Sequence, residues 1–246
     1  IIDHARLLEP AIKGAFTLTA DEADLVTEKA LALAMDPRPG PVLIEVPIAV
    51  ADAPAPPGRR LRRQAPAATA PAAGPALEQA RQWLAQAERP IVIAGFDAVQ
   101  DDAGEALRRF AHAQRAPVIQ TYKAKGVLPE DDPWALAAVA LSPAADEHVL
   151  PIVAAADLVV LAGYDAIEMR RSWMAPWEPE KKRVVAFDAV PNDHYLHLAS
   201  LAFTCSSAAG LDALAQGVAS ASHWTPAAVA AARAAVLAPF RCAETW

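Results

Sequence analysis

None of the ten glycines in the 246-residue sequence is spaced as G-x-G-x-x-G, and no G-x-x-x-x-G-K occurs. A backbone that approaches a pyrophosphate closely needs such glycines, so a conventional NAD-binding or ATP-hydrolysing domain is disfavoured. Cysteine is scarce as well. Cys205 and Cys242 stand alone, without C-x-x-C spacing, which speaks against a disulfide framework and a thiolate metal site and fits a reducing cytoplasm. No apolar run is long enough to cross a bilayer. The most apolar, residues 149–163, is interrupted by Pro151 and Asp157, and no signal peptide is visible. Positive charge is in deficit. A formal net charge of −7 argues against a nucleic-acid surface. The local exception, Arg59, Arg60, Arg62 and Arg63, sits in a stretch of Ala and Pro and reads as a solvated spacer rather than a phosphate-binding patch.

What the sequence does contain is a repeated strand-then-helix signal. Apolar strand cores are predicted at 42–46, 91–94, 117–121, 158–162, 184–187 and 201–204, the second and fourth ending at Gly95 and Gly163. Short all-apolar runs that stop at glycine read as buried parallel strands. Between them lie predicted helices. One opens at a Thr19/Glu22 capping box and runs to about Met35. Another, 76–87, puts Leu77, Ala80, Leu84 and Ala87 on one stripe. Asp102 and Glu105 are expected to cap a third. Ser142-Pro143 starts a fourth, which Pro151 should kink or split. Residues 208–218 and a helix after Thr225-Pro226 complete the set. The alternation predicts an α/β fold, a Rossmann-like open parallel sheet with helices on both faces, preceded by an incomplete α/β segment. The expected divisions are 1–52, the tail of an earlier domain; 53–75, an Ala/Pro/Arg linker; 76–219, the Rossmann-like domain; and 220–246, a connector. A chain that enters structured sequence at Ile1 without Met is read as a piece of a longer polypeptide.

Five segments in order carry a family likeness. They are Gly40-Pro-Val…Pro47, Arg89-Pro-Ile-Val-Ile-Ala-Gly95, Thr121-Tyr-Lys-Ala-Lys-Gly-Val-Leu-Pro129, and Ala156-Asp-Leu-Val-Val-Leu-Ala-Gly163 followed by Val184-Val-Ala-Phe-Asp188. Together they resemble thiamine-diphosphate-dependent enzymes of the acetolactate-synthase type. The resemblance implies that residues 1–52 close a pyrimidine-binding domain and that 76–219 form the central domain. It implies a parent enzyme that decarboxylates or ligates 2-oxo acids with thiamine diphosphate and Mg2+, as a cytoplasmic homodimer or homotetramer. The family's Gly-Asp-Gly motif for diphosphate and magnesium is absent from the ten glycines. Its activating glutamate lies earlier than this sequence starts. These residues alone are therefore expected neither to bind thiamine diphosphate nor to catalyse, and no catalytic or metal residue is assigned.

In open sheets ligands bind outside the carboxyl ends of the strands. Here that places Gly95, Thr121, Lys123, Gly163, Asp165 and Asp188 around a possible nucleotide crevice. Asp188 either accepts bonds from ribose hydroxyls or caps the next turn. Where flavin-binding relatives carry a small Gly-x-Gly-Ala turn, this chain has Gly95-Phe-Asp-Ala98. Where they carry a Gly-Met-His-Gly-like loop, it has Ala138-Val-Ala-Leu141. Phe96 would crowd and Asp97 would repel a diphosphate, so FAD is not expected. Arg170 and Arg171 match the neighbourhood of a substrate-facing arginine in acetolactate synthases; a surface ion pair with Glu168 is the competing reading. Lys123 and Lys125, flanking Ala124, need not point the same way. Tyr164, Trp173 and Trp177 either wall a pocket or pack. Asp193, His194 and His197 have metal-like spacing but read as a loop packed on the sheet. Two other functions stay open, a free-standing adenine-nucleotide-binding module and a non-catalytic interaction fragment. Retained nucleotide or a ligand-free dimer would distinguish them.

Overall fold

A computed structural model describes residues 2–54 and 67–241. The arginine cluster at 59–63, most of the expected linker and Cys242 lie outside the described residues. The chain divides into two compact units, residues 1–67 and 68–246.

The first unit contains α1 (His4–Leu8), β1 (Gly14–Thr17), α2 (Ala23–Ala34), β2 (Val42–Glu45) and α3 (Ile48–Ala51). β1 and β2 pair in parallel, Gly14 opposite Val42 and Thr17 opposite Glu45. α2 packs on both strands, as the crossover between parallel strands must. β1 was not predicted, because four residues beginning with glycine carry little strand signal. The expected capping box does not form either. Thr19 makes no side-chain cap bond, and Glu22 closes a 3-10 turn by donating its N–H to the Thr19 carbonyl at 3.4 Å. Two strands cannot enclose a core, and among the described residues of this unit Ala30 alone is buried. Leu31, Val46 and Ile48 stay exposed, Ile48 by 85%.

The second unit begins with α4 (Pro75–Gln86), β3 (Pro90–Ala94), α5 (Phe96–Gln100), α6 (Gly104–Gln114), β4 (Val118–Thr121) and β5 (Ala135–Val139). It continues with α7 (Pro143–Ala155), β6 (Leu158–Ala162), β7 (Arg183–Asp188), β8 (Leu201–Thr204), α8 (Ser207–Ala215) and α9 (Pro226–Leu237). Six parallel strands form one sheet in the order β5-β4-β3-β6-β7-β8. This is the doubly wound order, whose reversal point falls between β3 and β6. Every residue of those two strands is buried, which requires cover on both faces. α4 and α6 pack with α8, while α7 packs with α9.

Local departures from expectation have local causes. β5 was missed because Ala-Leu-Ala-Ala-Val has almost no β-branched residues; Ala138 and Val139, expected in a loop, end this strand. α5 was missed because it is five residues long. Asp102 does not cap α6; it takes φ +50° in the turn before the helix, whose N-cap is Ala103 with no side-chain bond. Ser142 likewise makes no side-chain cap bond, and α7 runs unbroken through Pro151. By contrast, Ser206 and Thr225 cap α8 and α9, accepting from Ala209 N and Ala228 N, each at 3.2 Å. α9, expected within a connector, places Val229 and Val236 in the core of this unit and covers edge strand β5, protecting unpaired strand groups.

The contrast between the units yields a prediction. A shortened chain beginning at Ala68 should be a monomer with its own cooperative unfolding transition. The full chain should self-associate through residues 1–54, because leaving several large apolar side chains in water forfeits a few kcal/mol at about 25 cal/mol per Å2. Size-exclusion chromatography with light scattering of both chains decides this; two well-behaved monomers with identical unfolding midpoints would refute it.

Candidate functional site

The carboxyl ends of β3, β4, β6 and β7 bring together Gly95, Thr121, Gly163 and Asp188, as the doubly wound order requires. At the reversal point the backbones come into close approach. The Gly95 N–H donates to Ala162 O at 3.0 Å, and the Asp97 N–H donates to Gly163 O at 3.1 Å. A Cβ on Gly95 would lie 2.3 Å from Gly163 O, and one on Gly163 would lie 2.2 Å from Ala98 N. Gly163 also has φ +55°, where a side chain is strained.

Glu168 lies beside this approach, its Oε1 3.0 Å from where a Cβ on Gly95 would stand. It is 2% exposed. Its Oε1 accepts the Phe96 N–H at 2.9 Å, and its Oε2 accepts from the Thr121 hydroxyl. Thr121 in turn accepts the Ala124 N–H at 3.2 Å. The expected surface ion pair between Glu168 and Arg170 or Arg171 is therefore not formed. Burial pushes the Glu168 carboxyl above the usual range; the bonds from Thr121 and Phe96 and the charge of Lys123 hold it back. Among the groups at the crevice, Glu168 was the one that sequence reasoning misplaced. The only sequence signal was an acid five residues beyond a strand-ending glycine, on an otherwise apolar turn.

The remaining candidates divide. Asp188 is half-buried and accepts the Tyr164 N–H at 2.9 Å. Burial raises its pKa to about 7; the Tyr164 bond opposes that, and the charges of Asp97 and Asp165 add to it. Asp165 caps the 3-10 turn 166–168 by accepting the Ile167 N–H at 3.0 Å. Lys123 and Arg170 are exposed and lie 6.0 and 5.9 Å from the centroid of the Tyr122 ring. Lys125 turns to Glu130 at 3.1 Å instead. Arg171 is exposed, with no carboxylate partner among the described residues.

The aromatic cluster packs around a histidine. Tyr164 OH donates to His197 Nδ1 at 2.7 Å, and His197 Nε2 donates to Trp173 O, which fixes the neutral tautomer. Burial lowers the His197 pKa and, with the charges of Glu168, Asp165 and Asp188, raises that of Tyr164. His194 faces Asp165 at 3.4 Å rather than joining His197. Among the described residues no group of three acids, histidines or cysteines is placed to hold a metal. A cavity of about 190 Å3 lies beside Asp188, Tyr164 and His197, below the usual ligand-pocket range of about 300 Å3 and more.

Two measurements follow. Gly163→Ala should cost about 2–4 kcal/mol, because its methyl overlaps backbone that cannot yield and its φ is positive; equilibrium urea unfolding reads this. Asp188 binds its proton more tightly when folded than at the ordinary value near 3.9, so the stability it lends is full below about pH 4 and is lost as pH rises through about 7. Asp188→Asn should remove that slope and gain on the wild type between about pH 4.5 and about pH 7.5. Parallel curves for the two proteins would contradict it.

Comparison with known proteins places this geometry. The profile of the family described as "Thiamine pyrophosphate enzyme, central domain" matches residues 77–214, more than half of the chain. A probable acetolactate synthase large subunit of Methanocaldococcus jannaschii is 37% identical over 65 residues, 26% of this chain and 11% of that protein. A glyoxylate carboligase of Escherichia coli O157:H7 is 40% identical over 55 residues, 22% of this chain and 9% of that protein. A probable acetolactate synthase of Mycobacterium bovis is 29% identical over 133 residues, 53% of this chain and 24% of its own length. The matched stretch is thus a quarter or less of each of these relatives. Among solved structures, a thiamin diphosphate-dependent enzyme from Mycobacterium smegmatis superposes with a TM-score of 0.67 at 23% identity, over 91% of this chain and 43% of that one. A 4-hydroxybenzoylformate decarboxylase of Rhodococcus jostii gives 0.65 at 21% identity, over 92% and 42%; both likenesses concern the fold. With a doubly wound six-stranded sheet and a family match along its length, this chain belongs to the thiamine-pyrophosphate-dependent enzyme family, through its central domain.

Proposed function

We propose that these residues are the central-domain portion of a thiamine-diphosphate-dependent 2-oxo-acid decarboxylase or carboligase of the acetolactate-synthase type. Residues 1–52 are then the end of its pyrimidine-binding domain. The observation that carries this reading is the match of residues 77–214 to the family's central domain, supported by relatives named for carboligation and acetolactate synthesis. The donor set of this chain does not fit the cofactor itself. The sequence has no Gly-Asp-Gly, and the strand-end hydroxyl and amide groups described above are bonded within the chain. No chemical step is therefore assigned to these residues. Their role is architectural: a rigid sheet spaces the cofactor-binding parts of a cytoplasmic homodimer or homotetramer that uses thiamine diphosphate and Mg2+. Arg170, exposed over Tyr122, and the exposed Arg171 are the groups suited to meet a substrate carboxylate, since a guanidinium offers two parallel N–H donors.

Nothing in the geometry favours a free-standing nucleotide-binding module over this reading. The test has two arms. Calorimetric titration of the 246 residues with thiamine diphosphate and Mg2+ should give no binding, and pyruvate or glyoxylate should release no CO2. A polypeptide joining these residues to a domain that carries Gly-Asp-Gly should release CO2 from a 2-oxo acid. A dissociation constant of about 10 µM or below for the 246 residues alone, or an inert joined polypeptide, would overturn the proposal.

A further inference from the structure

In a doubly wound sheet a diphosphate is received at the first strand-to-helix turn, where the free N–H groups that open the helix donate to its oxygens. In this chain that turn runs from Gly95 into α5, and its opening N–H groups are all taken. Phe96 N donates to Glu168 Oε1 at 2.9 Å, Asp97 N to Gly163 O at 3.1 Å, and Ala98 N to Gly95 O at 3.1 Å. The hydroxyl at the end of the next strand, Thr121, is committed to Glu168 Oε2. The glycines that would let a backbone approach a ligand instead let the β6 loop approach α5. Around this point stand Asp97, Asp165 and Asp188, close enough to one another for the first two to disfavour ionisation of the third.

We propose that Glu168 is the resident occupant of the strand-end crevice: a carboxylate supplied by the chain itself takes the donors that a nucleotide phosphate would take, and so closes the central domain to flavin and adenine nucleotides. The inference rests on the central-domain reading and gives its flavin-free expectation a residue and a mechanism. The crevice is thus filled from within the chain, by a carboxylate bonded to Phe96 N and the Thr121 hydroxyl, rather than by a phosphate ester. Glu168 serves here as a specificity-determining residue, not a catalytic one. Its burial and its bonds to two separate strand ends also make it a structural tie, so the test must separate occupancy from general support.

The experiment uses the full 246 residues as wild type, Glu168→Ala and Glu168→Gln. Thermal melts are compared in sodium acetate and in sodium chloride of equal ionic strength, and ADP and FAD are titrated calorimetrically into the wild type. Glu168→Ala leaves Phe96 N without an acceptor and should lower the melting midpoint by about 5 °C in chloride. Acetate should restore at least half of that loss, saturably, while leaving the wild type unmoved. Glu168→Gln keeps an acceptor for Phe96 and a group that can pair with Thr121, and should melt close to the wild type without responding to acetate. The wild type should take up neither ADP nor FAD. If Glu168→Ala fails to fold in chloride, it should fold in acetate; failure in both salts beside a folded Glu168→Gln counts against the proposal. Binding of ADP or FAD by the wild type with a dissociation constant of about 100 µM or below, or acetate acting on Glu168→Ala no more than on the wild type, would overturn it. Those results would leave family membership standing, and the activity test above can fail without touching this one.

Discussion

The contact on which the second unit depends is the close approach of two strand ends, Gly95 after β3 and Gly163 after β6. Neither position tolerates a Cβ, because each would overlap the backbone of the other loop. The approach brings the β6 loop over the start of α5 and sets Glu168 where it reaches both Phe96 and Thr121. One buried carboxylate thereby ties three consecutive sheet neighbours, β4, β3 and β6, at the end where such sheets carry function. A buried carboxylate is costly unless its oxygens are hydrogen-bonded, and here both are.

Electrostatics at this end of the sheet run against phosphate. The charges of Asp97 and Asp165 disfavour ionisation of Asp188, and a polyanion would add to the repulsion. Two exposed cations, Lys123 and Arg170, both lie against the Tyr122 ring. The central sheet thus presents an acidic, internally bonded crevice and, beside it, a small cationic patch with an aromatic floor.

The first unit shows the opposite economy of packing. A two-stranded parallel sheet with one crossover helix buries Ala30 and leaves Leu31, Val46 and Ile48 in solvent. Parallel sheets are stable when both faces and neighbouring strands are covered. The matched stretch accounts for a quarter or less of the curated relatives, and the exposed apolar face of this unit is the kind of surface that further sheet would cover.

The sequence by itself determined the periodic features. Five of the six strands of the large sheet, its α/β class and the family likeness were legible because apolar runs ending at glycine, and Ser or Thr at helix starts, are local signals. β1 and β5 were not legible, being short, with Gly-Ala opening the one and three alanines in the other, residues whose strand state is imposed by neighbours. The capping roles assigned to Thr19 and Asp102 failed because cap geometry depends on the turn that precedes the helix, whereas Ser142-Pro143 does open α7, without a side-chain bond. Of the crevice, the sequence placed Gly95, Thr121, Gly163 and Asp188 at strand ends but said nothing about what stands between them. Only the tertiary structure decided that, because the partners of Glu168 are 72 and 47 residues away along the chain, and a buried carboxylate's role is set by which donors the fold carries to it.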